Sequence, residues 1–347
     1  MTPLSDPRPS AGPRAAADRP PTIRDVAARA EVSIKSVSRV LNCENYVSDA
    51  LRTRVQEAID ALAYRPNPAA QNLRSTSSGS IAMVVEDISE PFFSQLALAV
   101  EHTIAPGTIV IVSSTMGDPK REAETLQALA ARQIDGIILA PTRAPRPRLL
   151  RALGRTAVVC VDRPVLGAQT DLVLSDNVGG MRRAVEHLLS QGHHRIAYLG
   201  DAPEVFTQRE RLSGYRDALA ARGITHDAAL VYEHRPDPAR IGRHLTWLRS
   251  TPDPPTAMVS GNSLTTLAML RAGFDAGTDA FIAFDDFPLA EVVHGGVSVV
   301  AQDAEALGAQ AAQTLERRIA HDSAPVRSTR IETRLTLRRG DPMPDGA

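Results

Sequence analysis

Thr22–Arg74 reads TIRDVAARAEVSIKSVSRVLNCENYVSDALRTRVQEAIDALAYRPNPAAQNLR, and the meaning of the remaining chain depends on it. Ile23, Val26 and Ala27 form an apolar stripe at helical spacing, and Val37, Val40 and Leu41 form a second. Between them, Glu31-Val32-Ser33 leaves room only for a tight corner, with Ser33 placed to cap the second helix. Two short helices across such a corner predict a helix-turn-helix, whose second helix enters the major groove of DNA. Burying Val37, Val40 and Leu41 turns Ile34, Lys35, Ser38, Arg39 and Asn42 outward. That set suits groove reading. Lys and Arg donate to guanine O6 and N7, Ser and Asn bond phosphate or base edges, and Ile touches a thymine methyl. Thr22, Ser36 and Tyr46 join Ser33 in completing the expected DNA contacts of the head. A third helix is predicted from Ser48-Asp49 to about Ala63, with Val55, Ile59 and Leu62 facing inward.

In the following RPNPAAQNLR, Pro68 suits a first helical turn and Ala69–Leu73 continue for little more than one turn. So short a helix is unstable alone in water, so it is expected to form only when two copies pack over DNA. The segments TIRDVAARAEVS, SVSRVLN, YVSDALRTRVQEAIDALAYRPN and AQNLR resemble the lactose-repressor/galactose-repressor (LacI/GalR) family. Its members are transcription regulators with an N-terminal helix-turn-helix, a hinge helix and a sensor like the sugar-binding proteins. The resemblance is dense over the head and continues more loosely to about residue 335. It implies that Leu73 wedges into the central minor-groove step of an operator with Arg74 in support, trading unstacking for a kinked, better-contacted duplex. One departure stands in the corner: Glu31 occupies a position where the family usually has Gly or another turn-tolerant residue. A positive φ there costs a Glu about 1 kcal/mol.

The chain has 347 residues, 43% apolar and 23% charged, enough for a small head and a two-lobed sensor. Residues 1–20 hold five prolines and almost no large apolar side chains, which predicts disorder. They lack the apolar core of a signal peptide, and no apolar run reaches membrane-spanning length, so a cytoplasmic, nucleoid-associated protein is expected. Cys43 and Cys160, the two cysteines, give neither a zinc site nor a disulfide framework. Net charge is −1, but residues 1–79 hold 11 Lys and Arg against 8 Asp and Glu, while the remainder holds 28 against 32. A mildly basic head on an acidic body fits DNA contact at one end.

STSSGS, residues 75–80, reads as a flexible linker. From Ile81 onward, apolar runs (IAMVV, TIVIVSS, DGIILAP, AVVCVD, then RIAYLG, TAMVSG and AFIAFDD) alternate with helical stretches. Such alternation predicts parallel sheets covered by helices. The expected fold is therefore an all-α helix-turn-helix head plus an α/β periplasmic-binding-protein-like sensor of two Rossmann-like lobes. Val297–Ile319 is expected to cross back to the first lobe. The expected organisation is a tail (1–21), head (22–65), hinge helix and linker (66–79), sensor (80–340) and short tail (341–347).

Ligands of open parallel sheets bind beyond the carboxyl ends of the strands, so the residues just after each strand are the candidates. By resemblance the effector contacts are Phe92 and Phe93 in DISEPFF, Arg163 after AVVCVD, Thr207 and Arg211, Asn262, Asp285, and Gln302 after SVVA. Each has a structural alternative: Phe92 and Phe93 as core, Asp162-Arg163 as an ion pair, and Asp286 as an exposed residue. Many family members place an aromatic residue in the loop matching EHRPDP, residues 233–238, which has none, and Ser263 replaces a common Asp. Ligand identity therefore does not transfer from the family.

The function implied is a transcription regulator, expected to repress, that binds a palindromic double-stranded operator as a homodimer. A small metabolite between the lobes, a carbohydrate or similar, would modulate it. Arg338–Pro344 carries no leucine heptad, so a dimer is expected rather than a heptad-tied tetramer. The competing readings are an α/β enzyme using Asp162, Asp285 or Asp286, or a transport-type sugar-binding protein. The sequence has no nucleophile elbow, P-loop, helix-opening GxGxxG or metal-ligand cluster, so no catalytic residue, cofactor or metal is expected.

Overall fold

The computed structural model describes residues 19, 21–41, 44, 46–65, 78–142, 150–151, 153–277 and 280–338. The expected tails apart from residues 19 and 21, the hinge helix with Leu73 and Arg74, and Asn42 and Cys43 lie outside the described residues. The chain divides into two compact units, Met1–Ser78 and Gly79–Ala347.

The first unit is built on α1 (Ile23–Arg29), α2 (Ile34–Leu41) and α3 (Asp49–Ala61). At the start of α1 the Asp25 carboxylate accepts from both the backbone N–H and the hydroxyl of Thr22, at 2.8 and 2.7 Å. Those bonds hold the Asp25 carboxyl below its usual pKa. The helix ends in a left-handed turn. Glu31 has φ 53°, and Val32 N–H donates back to the Ala27 carbonyl at 3.0 Å. The corner therefore does place a Glu at positive φ. Ser33 then opens α2, its hydroxyl accepting from Ser36 N–H at 3.1 Å. Val26, Ala27, Val37, Val40, Val55 and Ala58 fill the centre, with Leu41, Ile59 and Leu62 packed around them.

The second unit holds two sheets. In the first, β1 (Ser80–Val85), β2 (Ile109–Ser114), β3 (Gly136–Leu139), β4 (Ala157–Val161), β5 (Asp171–Ser175) and a late β11 (Ser328–Ile331) run parallel in the order β11-β5-β4-β3-β1-β2. The second contains β6 (Ile196–Gly200), β7 (Val231–Glu233), β8 (Ala257–Ser260), β9 (Ala280–Phe284), β10 (Ser298–Ala301) and β12 (Arg334–Thr336), ordered β12-β10-β9-β8-β6-β7. Only the β10–β12 pair of that sheet is antiparallel among the described residues. The central strands are buried almost throughout, as a sheet covered on both faces requires.

The helices with described bounds are α4 (Pro91–Thr103), α5 (Pro119–Ala131), α6 (Asn177–Ser190), α7 (Phe206–Ala221), α8 (Pro238–Ser250), α9 (Ser263–Arg271) and α10 (Ala304–Ile319). Asp118, Asp176, Asp237, Asn262 and Asp303 cap five of them through their side chains. The chain passes between lobes after β5, after β10 and after β11. Helix α10 packs its Leu307, Ala311 and Leu315 into the first lobe's core with Leu96 and Val100 of α4. The expected return at Val297–Ile319 is thus narrower: β10 belongs to the second lobe, and the crossing occurs at Gln302-Asp303.

Candidate functional site

On the head, Ile34, Lys35, Ser38 and Arg39 of α2 line one concave surface together with Glu44. This is the face expected to read DNA. The sequence did not show that Arg39 is held in place: its Nε donates to Glu44 Oε2 at 3.0 Å and its Nη2 to the Tyr46 carbonyl at 3.1 Å. Lys35 has no ion-pair partner among the described residues, so it is the freer donor. Ser33 and Ser36 bond one another through their hydroxyls at 2.9 Å, Thr22 is engaged with Asp25, and the Tyr46 side chain is 90% exposed.

On the sensor, all eight candidate effector contacts line a single cavity of about 390 Å³ between the lobes. The topology brings them together: each lies just beyond the carboxyl end of a parallel strand, or on the helix that follows. From the first lobe come Phe92, Phe93 and Arg163; from the second, Thr207, Arg211, Asn262 and Asp285; Gln302 stands on the crossing. Phe93 is buried in the first lobe's core and meets Phe92 edge to face at 5.1 Å, so Phe92 offers the more accessible ring.

The two lobes repeat one device. Asp162 follows β4 and Asp285 follows β9, both in left-handed conformation, at φ 67° and 71°. Such a backbone costs a non-glycine residue on the order of 1 kcal/mol and re-aims its side chain. Each carboxylate is buried against an arginine. Arg163 Nε donates to Asp162 at 2.7 Å and its Nη1 to Glu86 at 2.8 Å. Burial opposes the Arg163 charge, but Asp162 and Glu86 outweigh it and raise the pKa of the guanidinium. Arg211 Nη1 donates to the Gly261 carbonyl at 2.7 Å and to Asp285 at 3.3 Å, while its Nε donates to Asn177 at 2.8 Å. Its guanidinium carbon lies 3.9 Å from the centre of the Phe284 ring.

Beneath the cavity these groups join the lobe crossings. Gln302 Nε2 donates to Asp285 at 2.7 Å, and the Ser175 hydroxyl donates to Gln302 Oε1. Asn177, which holds Arg211, also donates to Glu210 at 3.1 Å, and Glu210 pairs with Arg330 of β11 at 2.6 Å. Gln302 thus bonds the cavity to the segments beside the first two crossings, and Arg211 reaches the third through Asn177 and Glu210.

Sequence reasoning missed several residues of the cavity wall: Glu86, Glu90, Asp201, Arg235 and Arg271. The signal for Glu90 was its place in DISEPFF, and for Arg235 the charged loop EHRPDP. Burial, with the neighbouring carboxylates of Glu86 and Asp285, pushes the Glu90 pKa up to about 7. Asp286 points away, its exposed carboxylate paired with Arg338 at 2.8 Å. Cys160 is buried, with its thiol pKa raised by burial. No group of His, Cys, Asp and Glu suited to a metal occurs among the described residues.

The comparisons agree with this geometry. Residues 22–67 match the model of bacterial regulatory proteins of the lacI family, and residues 185–340 match the periplasmic binding protein-like domain. The chain is 30% identical to a ribose operon repressor from Halalkalibacterium halodurans over 91% of its own length and 96% of the relative's. It is 33% identical to the transcriptional regulator CelR of Thermobifida fusca, over 92% and 98% of the two chains. Among solved structures, a CelR–cellobiose complex superimposes with a TM-score of 0.67 at 29% identity, over 92% of this chain and 99% of that one. The lac repressor dimer bound to operator and an anti-inducer shares the fold, with a TM-score of 0.79 at 23% identity over 93% and 99% of the two chains. A head that presents α2, a sensor of two parallel-sheet lobes and relatives matched nearly end to end lead to one conclusion: the chain belongs to the lacI family of bacterial regulatory proteins and is a DNA-binding transcription regulator.

Proposed function

We propose that this regulator is a homodimeric, cytoplasmic repressor whose hold on a palindromic operator is set by a sugar or sugar-like polyol in the inter-lobe cleft. The observation that carries the reading is the convergence of Arg163, Arg211, Asn262, Asp285 and Gln302 on one cavity that is bonded to the lobe crossings. Hydroxyls of a ligand would compete with Gln302 and Arg211 for Asp285, and the ring of Phe92 would cover an apolar sugar face. Lobe closure would then depend on ligand, and only a ligand preferring one closure state would move operator affinity. The dimer reading draws support from edge strand β2 and helix α4, which expose Ile109 and Leu98 at 62% and 52%, with Ile111 and Val112 beside them. An exposed apolar edge of that kind calls for a cover.

The reading is tested by selecting genomic DNA fragments with the purified protein, with and without a pool of sugars. Short palindromes are expected, with recovery that changes when sugars are present. Recovery of unrelated fragments in both conditions would reject it.

A further inference from the structure

Charged groups in the cleft divide into those answered within the protein and those left unanswered. Arg163 is answered by Asp162 and Glu86, and Arg211 by Asp285. Asp201 accepts from Ala202 N–H at 2.6 Å and from Asn262 at 3.4 Å. Three ionisable side chains on the cavity wall have no hydrogen-bond or ion-pair partner among the described residues: Glu90 of the first lobe, and Arg235 and Arg271 of the second. Arg235 stands in the loop between β7 and α8, and Arg271 is the last residue of α9.

These two arginines mark the mouth. Arg235 also borders a hollow lined by Arg240 and Arg243, and Arg271 borders a second one that Arg243 shares. The side chains of Arg240 and Arg243 likewise have no acidic partner among the described residues. The acids at the first hollow are Glu204, Glu233 and Asp237, the last also capping α8 through Arg240 N–H at 2.7 Å, so the four arginines of the two hollows face three carboxylates. The second lobe therefore carries an excess of guanidinium at the opening, and the first lobe carries an unanswered carboxylate inside. Guanidinium forks fit carboxylate and phosphate in two-bond geometry, and clustered positive charge raises the local concentration of anions. A neutral sugar would leave Arg235 and Arg271 unmatched. A cation would be repelled at the mouth, and an acidic group seated beside Glu90 would meet like charge.

We infer that the cleft takes an anionic polyol, a sugar bearing a carboxylate or phosphate, with its acidic group held by Arg235 and Arg271 and its hydroxyls donating to Glu90 and Asp285. The volume of about 390 Å³ suits one monosaccharide-sized ligand. Where the resemblance led to an aromatic plate, the EHRPDP loop supplies a cation instead. This inference rests on the cleft being the effector site.

The test is calorimetric titration of the full chain with D-glucose, D-gluconate and D-glucose 6-phosphate, for the native protein and the R235A/R271A variant. Both arginines are exposed ends of a loop and a helix, so the variant is expected to fold, and its melting temperature checks this. One anionic compound should bind about tenfold or more tightly than glucose, and the double substitution should weaken it about ten- to a hundredfold. Gluconate against glucose 6-phosphate tells carboxylate from phosphate. Three results would each overturn the inference: glucose binding as tightly as both anions, an anion bound equally by the variant, or neither anion bound at millimolar concentration. A neutral sugar that binds and shifts operator recovery would remove the anionic class and leave the regulator reading intact. Failure to recover any operator would instead strike that reading.

Discussion

Replacing Arg211 by Met tests the link between cleft and scaffold most sharply. The residue is 3% exposed, and its three hydrogen bonds tie α7 to Asn177, Gly261 and Asp285. Met keeps an unbranched apolar side chain but removes the guanidinium over the Phe284 ring and leaves Asp285 as a buried carboxylate without its cation. Removing one partner of a buried pair costs about 3–5 kcal/mol. The Arg211–Asp285 contact is long at 3.3 Å, and Asp285 keeps Gln302 at 2.7 Å and Ser263 N–H at 3.3 Å. The lower end, about 3 kcal/mol, is therefore expected, which lowers the melting temperature of a domain of this size by about 6–12 °C. Asp285→Asn alone should cost about 2 kcal/mol, because Arg211 keeps two neutral acceptors. The double variant should fall short of the sum by about 1–3 kcal/mol, since neither unpaired charge then remains. Urea denaturation followed by circular dichroism of all four proteins measures this. A cost below about 1 kcal/mol for R211M, or strict additivity, would refute the reasoning.

Three further outcomes are expected. Glu90→Gln removes a carboxyl whose folded pKa is raised to about 7, so the stability the native acid draws from being protonated is whole below its unfolded pKa and lost as pH rises through 7. The variant should gain on the order of 2 kcal/mol over the native protein at pH 8 and little at pH 5, and a gain that does not vary with pH would contradict this. At Glu31, with φ 53°, head stability should order Gly above Glu above Val, with Val about 1–2 kcal/mol worse than Glu; equal melting of the three heads would contradict the strain. Lys35→Ala should relax base preference at one operator position by about 1–3 kcal/mol in a binding-site selection, whereas uniform weakening on every sequence would make Lys35 a phosphate contact.

Periodicity made much of this legible. Val37, Val40 and Leu41 set the outward face of α2, and the IAMVV and AFIAF runs located central strands because a doubly covered strand is continuously apolar. Strand ends then led to Arg211, Asn262 and Asp285 before any contact was known. Short or polar edges were hidden: VYE in β7 and RLT in β12 have three residues each, too few for a period, and STRI in β11 pairs with β5 from far along the chain. Helix α8 was not among the expected helices although Asp237-Pro238 is a cap followed by a first-turn proline and Ile241, Leu245 and Leu248 recur at helical spacing; only four of its thirteen residues are large and apolar. Of the charge pairs, the adjacent Asp162-Arg163 was legible in sequence and the distant ones were not. Nothing in sequence spacing places Glu86 against Arg163 or Glu210 against Arg330, since both pairs arise only when separate strands and helices converge.

The central claim is that the cleft governs DNA affinity, and one comparison tests it directly. Operator binding is measured by fluorescence anisotropy for the native protein and Asp285→Asn, with and without the polyol that binds best in the calorimetric panel. The two proteins should hold bare operator equally, and the ligand should change the native affinity by about fivefold or more while leaving the variant nearly unmoved. An equal ligand response in both proteins, or none in the native protein, would contradict the claim.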